Sequence, residues 1–169
     1  IVSDIPGTTR DSIDSVVMRG EDKYVFIDTA GIRRKSKVDE AIEKFSVLRA
    51  QMAVERADVC LIMIDAQDGV TEQDTKVAGL AHENGKAAVI VINKWDLIEK
   101  ETGTQVEYEK KVRTQLAYMP YAPVVFISAK TGLRVEQLYD VIQRVYAAAT
   151  TRITTGALNA VLAEATVRV

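Results

Sequence analysis

Four nearly continuous apolar runs recur along the chain, separated by segments with helical periodicity. They begin at Tyr24, Val59, Ala87 and Pro123 and read YVFIDT, VCLIMID, AAVIVIN and PVVFISA. Runs that do not alternate with polar residues are typical of strands buried on both faces of a parallel sheet. Alternation of such strands with helices predicts a three-layer α/β fold with a mostly parallel sheet. The predicted helical segments are 38–58, 72–85, 104–119 and 132–150.

Several details refine these predicted elements. Gly85 indicates the end of the second helix. Met52 and Met63 fall at positions that predict burial in the core, and Trp95 is expected to pack there as well. His82 lies on a polar helix and is expected to be exposed. The last predicted helix carries its apolar stripe at Val135, Leu138, Ile142 and Val145.

The two ends of the chain have different patterns. Residues 11–28 alternate in polarity around Gly20-Glu21-Asp22, which predicts a hairpin and thus one antiparallel edge strand on the sheet. Residues 151–169 follow a Thr-rich joint, and a helix is expected to begin after Thr154 or Thr155.

Composition narrows the class of protein. The 169 residues are 47% hydrophobic and 27% charged, enough for one domain with a real core. The net charge of −2 gives no whole-chain argument for nucleic-acid binding. Cys60 is the one cysteine, which excludes an internal disulfide and favours a reducing compartment. No apolar stretch approaches the roughly 18 residues of a membrane span, so we expect a cytoplasmic protein without membrane contact.

Polar side chains gather where the predicted strands end. These ends read Asp28-Thr29-Ala30-Gly31, Asp65, Asn93-Lys94-Trp95-Asp96 and Ser128-Ala129-Lys130. Open α/β sheets bind ligands at the carboxyl ends of their strands. The sequence therefore predicts one site built from these loops. Asp65 alone is expected only to cap its strand.

The Asn93–Asp96 segment suggests recognition of guanine. A carboxylate at Asp96 can accept two hydrogen bonds, from the ring N–H and the exocyclic amine of guanine. Adenine lacks that amine, and such sites reject analogues by roughly 10⁴-fold. Asn93 can bond the other purine edge, and the stem of Lys94 can lie across the base. Residues 128–130 would supply a backbone N–H for the guanine oxygen and steady Asp96. The alternative is that residues 93–96 form an ordinary polar turn. Their occurrence together with residues 128–130 favours recognition of guanine.

Two upstream segments suggest a phosphate and magnesium site. Asp28 can hold Mg²⁺ through water, as the acidic residue at this position does in P-loop NTPases. Gly31 can bring its backbone N–H close to a γ-phosphate. In Pro6-Gly7-Thr8-Thr9-Arg10-Asp11, Thr9 is the expected direct Mg²⁺ ligand, with Thr8 as the alternative.

Together these segments resemble a translation-factor-type small GTPase with a three-layer P-loop NTPase fold. The closer resemblance is to the Der (EngA) family, which has two tandem G domains and a C-terminal KH-like domain. Residues 43–100 and 121–132 resemble the second G domain, and 155–165 resemble the first helix of the KH-like domain. The resemblance implies that residues 1–150 are a G domain and that 151–169 are a linker and that helix.

The resemblance also implies an activity and partners. It implies binding of GTP and GDP, slow hydrolysis of GTP, and a role in large ribosomal subunit assembly with contact to rRNA. The neighbouring G domain and KH-like domain of the same chain would be further partners. The nucleotide-binding residues it implies are Asp28, Thr29, Ala30, Gly31, Ile32, Asn93, Lys94, Trp95, Asp96, Ser128, Ala129 and Lys130.

One motif of the family does not occur in the 169 residues, the phosphate loop Gly-x-x-x-x-Gly-Lys-Ser. In family order it would precede Ile1, on a strand between those that end at Asp28 and Asp65. We therefore expect the sequence to be a piece of a longer chain. We also expect the isolated polypeptide to bind GTP poorly.

Residue 32 occupies the position that orients the attacking water for GTP hydrolysis in many small GTPases. Many small GTPases orient the attacking water with Gln directly after Asp-x-x-Gly, and here that position is Ile32. The catalytic positions are then Gly31 and Ile32, with Ile32 beside the water but unable to act as a base. Hydrolysis would depend on a bound cation, such as the K⁺ of related families, or on a partner.

The function of the chain has an alternative to GTP hydrolysis. The chain could be a non-catalytic scaffold that binds guanine nucleotide, RNA or the ribosome. The basic stretch 33–37 also has two possible roles, either a solvated loop or a nucleotide-gated contact to RNA or a neighbouring domain.

Overall fold

The computed structural model describes residues 14–27 and 50–167. Thr9, the segment from Asp28 to Ile32, the basic stretch 33–37 and most of the helix predicted over 38–58 lie outside these ranges. The strands are β1 (Asp14–Arg19), β2 (Asp22–Ile27), β3 (Val59–Asp65), β4 (Ala87–Asn93) and β5 (Val124–Phe126). The helices are α1 (50–56), α2 (Glu72–Glu83), α3 (Thr104–Gln115), α4 (Val135–Thr150) and α5 (Thr155–Val167), with a 3₁₀ turn at Trp95–Leu97.

Strands β3, β4 and β5 form a parallel sheet in that order, as the apolar runs predict. The register pairs Asp65 with Asn93 at the carboxyl ends of β3 and β4. Parallel strands end at the same edge, so the loops that follow β3, β4 and β5 meet there. This edge carries the candidate site.

Helices cover both faces of this sheet, which confirms the three-layer prediction. One face packs Ile62, Ile64, Ile90 and Ile92 against the buried faces of the first three helices. On the other face Val89, Val91, Val125 and Ile127 pack against Leu138 and Val141 of α4. Both faces of β4 are therefore buried, which explains its unbroken apolar sequence.

The predicted hairpin forms, with β1 and β2 antiparallel about a turn at Gly20-Glu21. Among the described residues it shares no strand pairing with the parallel sheet. It packs on α4 instead, where the rings of Tyr24 and Tyr139 meet edge to face at 5.0 Å and Arg19 pairs with Glu136.

The prediction that the run from Tyr24 is buried on both faces is wrong. Val25 is 49% exposed, whereas Tyr24 and Phe26 turn towards Tyr139. Only one face of the hairpin has a neighbour among the described residues. The alternating pattern of a half-buried strand therefore replaces the continuous burial expected.

The ends of α2 and α5 agree with the sequence signals. Thr71 and Asp74 form a reciprocal capping box at the start of α2. Gly85 follows its end in a left-handed conformation with φ of 63°, which glycine adopts without steric cost. The last helix begins at Thr155, and residues 151–166 are exposed throughout.

Two residues expected in the core are exposed. Met52 is 57% exposed because the buried face of α1 lies at Ala50, Ala53 and Val54. Met63 is 47% exposed on the face of β3 that α4 covers only as far as Leu61. Hydrophobic periodicity identified both elements, but the positions of their neighbours decided which side chains are covered.

A groove of about 590 Å³ lies between β2 and β3. Its walls include Tyr24, Phe26, Ala53, Cys60, Ile62 and Ile142. Within the described residues, β3 pairs with β4 only and β2 pairs with β1 only. In this part of the chain, two strand edges without a described partner therefore border an apolar groove.

Candidate functional site

Asn93 joins the ends of all three parallel strands. Its side-chain Oδ1 accepts hydrogen bonds from the backbone N–H of Lys94 at 2.8 Å and of Ala129 at 3.0 Å. Its backbone carbonyl accepts from the N–H of Ala66 at 2.9 Å. The loops after β3, β4 and β5 are therefore fixed relative to one another through one residue.

The turn after Asn93 is anchored by the next aromatic side chain. Trp95 is 2% exposed, with its ring centroid 4.5 Å from that of Phe126 and 5.4 Å from that of Tyr108. Its backbone N–H donates to the carbonyl of Ile127 at 3.0 Å. Trp95 thus contributes by packing, as expected.

Burial of Trp95 leaves Asp96 at the surface of the turn. The Asp96 side chain is partly exposed. Among residues 14–27 and 50–167 its carboxylate has no hydrogen-bond or ion-pair partner. Both oxygens can therefore accept hydrogen bonds from a ligand.

The second predicted loop is held in a different way from that expected. Ser128 is fully buried, its N–H donates to the carbonyl of Leu133 at 3.1 Å, and its Oγ accepts from the N–H of Thr131 at 3.2 Å. The structure links this loop to Asn93 through Ala129, and no hydrogen bond or ion pair joins residues 128–130 to Asp96 within the described ranges. Lys130 is exposed, and its backbone N–H has no acceptor within the described part of the chain.

Asp65 takes part in the site, although the sequence predicted only a strand cap. Its side chain is 5% exposed, and its Oδ2 lies 2.5 Å from Nζ of Lys94. Its Oδ1 accepts the backbone N–H of Gln67 at 3.0 Å. The signal available in the sequence was an acidic residue at the end of β3, the strand before the one that ends at Asn93.

Tyr108 was also missed. Its hydroxyl donates to the carbonyl of Ala66 at 3.0 Å, which connects α3 to the loop after β3. Burial raises the pKa of Tyr108, and the negative charges of Asp65, Asp68 and Asp74 raise it further. No local sequence pattern indicates this contact, because 42 residues separate the two groups.

An acidic cavity of about 410 Å³ lies beside the site, lined by Asp65, Asp68, Thr71, Glu72, Gln73, Asp74 and Lys76. Within the described residues, no group of three or more His, Cys, Asp or Glu side chains is placed to hold a metal ion. The predicted magnesium ligands Thr9 and Asp28 and the predicted catalytic positions Gly31 and Ile32 lie outside those residues.

Among the described helices, none has the length and apolar character of a membrane-spanning segment.

Comparison with protein families identifies the class to which this arrangement belongs. Residues 1–94 match the family described as 50S ribosome-binding GTPase. The chain belongs to that family. This match covers the strand ends up to Lys94, and the Trp95–Asp96 and Ser128–Lys130 segments lie beyond it.

Individual members of this GTPase family are similar over all or nearly all of the 169 residues. GTPase Der of Acetivibrio thermocellus is 63% identical over the whole chain, which spans 38% of that protein's length. GTPase Der of Ruminiclostridium cellulolyticum is 65% identical over 98% of the chain, which corresponds to 37% of that protein. The chain therefore spans well under half the length of these relatives.

Solved structures agree with the fold. Era in complex with MgGDPNP and a segment of 16S ribosomal RNA superposes with a TM-score of 0.73 and 27% identity, over 86% of this chain and 47% of that one. An Aquifex aeolicus Era variant bound to GDP and AlF₄⁻ gives a TM-score of 0.72 and 28% identity, over 86% of this chain and 48% of that one. These similarities confirm the predicted α/β GTPase fold.

Proposed function

We propose that the chain binds guanine nucleotides and hydrolyses GTP as the second G domain of a Der-type switch protein. The observation that carries this proposal is the arrangement at the sheet edge. Asn93 joins the loops after β4 and β5, while the Asp96 carboxylate points out of the same turn with no partner in the described residues. Guanine presents two neighbouring N–H donors that match such a carboxylate.

Each residue of this edge has a definite part in the proposal. Asp96 accepts the ring N–H and the amine of guanine, and the Lys94 stem covers one face of the base. The N–H of Lys130 donates to the guanine oxygen, because the N–H groups of Ser128 and Ala129 are already used within the protein. The amide nitrogen of Asn93 faces the remaining purine edge.

The phosphate and metal groups belong to segments outside the described residues. We propose that Thr9 binds Mg²⁺ directly, that Asp28 holds it through water, and that Asp28 to Ile32 border the γ-phosphate. Mg²⁺ neutralises the charge that develops on the phosphates during transfer. Era provides support from a relative, because it was solved with MgGDPNP. Because Ile32 cannot hydrogen-bond water, hydrolysis would require K⁺ or a partner.

The groove between β2 and β3 supports a further part of the proposal. Two open strand edges cannot remain unpaired without exposing backbone donors and acceptors. An extended segment carrying a Gly-x-x-x-x-Gly-Lys-Ser loop would pair with both edges and fill the apolar groove. Its loop would then lie at the same sheet edge as Asp65 and Asn93.

The nucleotide proposal is tested with Asp96→Asn in the intact protein. An amide donates to the position where xanthine carries an oxygen, so the variant should prefer XDP to GDP by at least tenfold. The unmodified protein should show the opposite preference. Calorimetric titration of both proteins with both nucleotides decides the matter, and an unchanged preference in the variant would refute the proposal.

The similarity to GTPase Der and the family description support a role with the large ribosomal subunit in the cytoplasm. We propose that residues 1–150 form the G domain and that the exposed helix α5 leads into a KH-like domain. Co-sedimentation of the intact protein with 50S subunits tests the ribosomal part. Stronger binding with a non-hydrolysable GTP analogue than with GDP is expected, and equal binding in both states would contradict a switch.

A separate proposal concerns the 169-residue polypeptide on its own. Within the described residues the facing edges of β2 and β3 have no strand partner, and the 169 residues contain no phosphate loop, so this polypeptide should bind GDP weakly or not at all. Calorimetry on this polypeptide measures the affinity directly. Tight GDP binding would show that the phosphate loop is dispensable here.

A further inference from the structure

Asp65 is a buried acid at the end of β3, beside Asn93 in the strand register. Its carboxylate accepts the N–H of Gln67 and pairs with the ammonium group of Lys94. Burial of a charge is costly unless partners of this kind are present. The pairing therefore fixes the position of Lys94 from the neighbouring strand.

Lys94 itself has an unfavourable backbone conformation. Its φ of 60° and ψ of 31° place it in the left-handed region, which a side chain with a Cβ rarely adopts. Such a conformation persists only where the surroundings determine it. The N–H of Lys94 donates to Asn93 Oδ1 at 2.8 Å, and its carbonyl accepts from Leu97 at 3.0 Å. The ion pair with Asp65 is the contact that fixes the side chain.

This conformation determines where Asp96 points. Trp95 anchors the turn on its buried side, and Asp65 holds it on the other through Lys94, whose side chain is 46% exposed. Without the carboxylate, the Lys94 side chain would be free to rotate into solvent. Its backbone could then relax towards the right-handed region and turn Asp96 away.

We propose that Asp65 is a positioning residue for recognition of the guanine base. It acts through Lys94 and does not touch the nucleotide. The proposal rests on the guanine-binding function proposed above, because it assigns Asp65 to the geometry of that same turn. It predicts that loss of the carboxylate weakens binding of the base and leaves the choice between guanine and xanthine unchanged.

The first test is a double-mutant cycle in the intact protein with GDP. Lys94→Met keeps the apolar stem that covers the base and removes the ammonium group. We expect D65N to weaken GDP binding at least tenfold in the wild-type background and less than twofold in the K94M background. Equal weakening in both backgrounds would overturn the proposal. So would unchanged GDP binding by K94M, which removes the same ion pair even if D65N does not fold.

The second test needs no nucleotide. The ¹⁵N resonance of the Trp95 indole reports on the turn directly, because Trp95 follows Lys94 and is buried. D65N should shift this resonance, whereas the control variant E136Q should not, because Glu136 pairs with Arg19 on the hairpin. An unshifted resonance in folded D65N would show that Asp65 does not position the turn.

The two proposals fail in different ways. If the wild-type protein does not bind GDP, guanine recognition is refuted, and the Trp95 resonance then decides whether Asp65 holds the turn. If the wild type binds GDP and D65N binds it equally well, only the positioning role is refuted. The GDP-to-XDP preference of D65N provides a further check, because a reversed preference would mean that Asp65 contacts the base itself.

Discussion

The side-chain oxygen of Asn93 accepts a hydrogen bond from the backbone N–H of Ala129, a residue 36 positions further along the chain. This contact joins the two loops that carry the candidate base-recognition residues. It is local in space and long-range in sequence.

Asn93→Ala removes the acceptor and leaves the N–H groups of Lys94 and Ala129 without it. We expect a loss of about 1–3 kcal/mol in the free energy of unfolding, the usual cost of leaving such a group unsatisfied. GDP affinity should fall at least tenfold. Asn84→Ala is the matched control, since Asn84 caps α2 through the carbonyl of Leu80. A similar loss of affinity in N84A would indicate general destabilisation.

Trp95→Ala should be strongly destabilising, because the indole is buried between Phe126 and Tyr108. Truncation of a buried aromatic ring costs about 3–5 kcal/mol. Urea unfolding of the intact protein, followed by circular dichroism, measures the change. Trp95→Phe keeps most of the apolar volume, so its free energy of unfolding should fall much less than that of Trp95→Ala. An equal fall in both variants would argue against a packing role.

Lys86→Met should destabilise the end of α1. The Lys86 ammonium donates to the carbonyls of Glu55 at 2.8 Å and Ala57 at 3.0 Å, which closes the last turn of the helix. Hydrogen bonds to a charged group are worth about 1.5–3 kcal/mol before solvent screening, so about 1–2 kcal/mol is expected for this half-buried lysine. Chemical unfolding measures the loss. Lys76→Met removes only an exposed pair with Glu72, and a comparable loss there would contradict the capping argument.

Stability should fall in alkali because of Cys60. Burial raises the pKa of this thiol above its ordinary value near 9, and the nearby charge of Lys86 offsets only part of the rise. Above pH 9 the unfolded chain releases the thiol proton while the folded chain keeps it. The free energy of unfolding should therefore fall as pH rises, by at most about 1.4 kcal/mol between pH 9 and 10.

Cys60→Ala provides the control for this pH dependence. The decline from pH 9 to 10 should be smaller in the variant but should not disappear, because burial also raises the pKa values of Tyr108, Tyr118 and Tyr121, whose ordinary value is near 10. Unfolding midpoints at half-unit pH steps supply the measurement. Identical pH profiles for the variant and the wild type would exclude Cys60 as the cause.

Ile32→Ala should change the rate of GTP hydrolysis only modestly, by less than about fivefold. An aliphatic side chain cannot orient water, so its removal takes away no catalytic hydrogen bond. Single-turnover hydrolysis with and without K⁺ is the appropriate measurement. A thousandfold loss would mean that the side chain has a direct role, for example in excluding water from the site.

Prediction from the sequence succeeded where the chemistry is local. The continuous runs at Val59 and Ala87 became β3 and β4, and Gly85 followed α2, because burial of both strand faces and a left-handed backbone each require particular residue types. Prediction failed where a neighbour decides the outcome. Met52, Met63 and Val25 are apolar but exposed, since no described element covers them.

The sequence by itself determined the order of strands and helices and the polar residues that end each strand. Backbone propensity and hydrophobic periodicity act over a few residues, so they can be read without coordinates. Only the tertiary structure decided that Asn93 holds Ala129, that Asp65 holds Lys94, and that Tyr108 holds Ala66. Those contacts join residues 29 to 42 positions apart, as the parallel register and the packing of α3 bring them together.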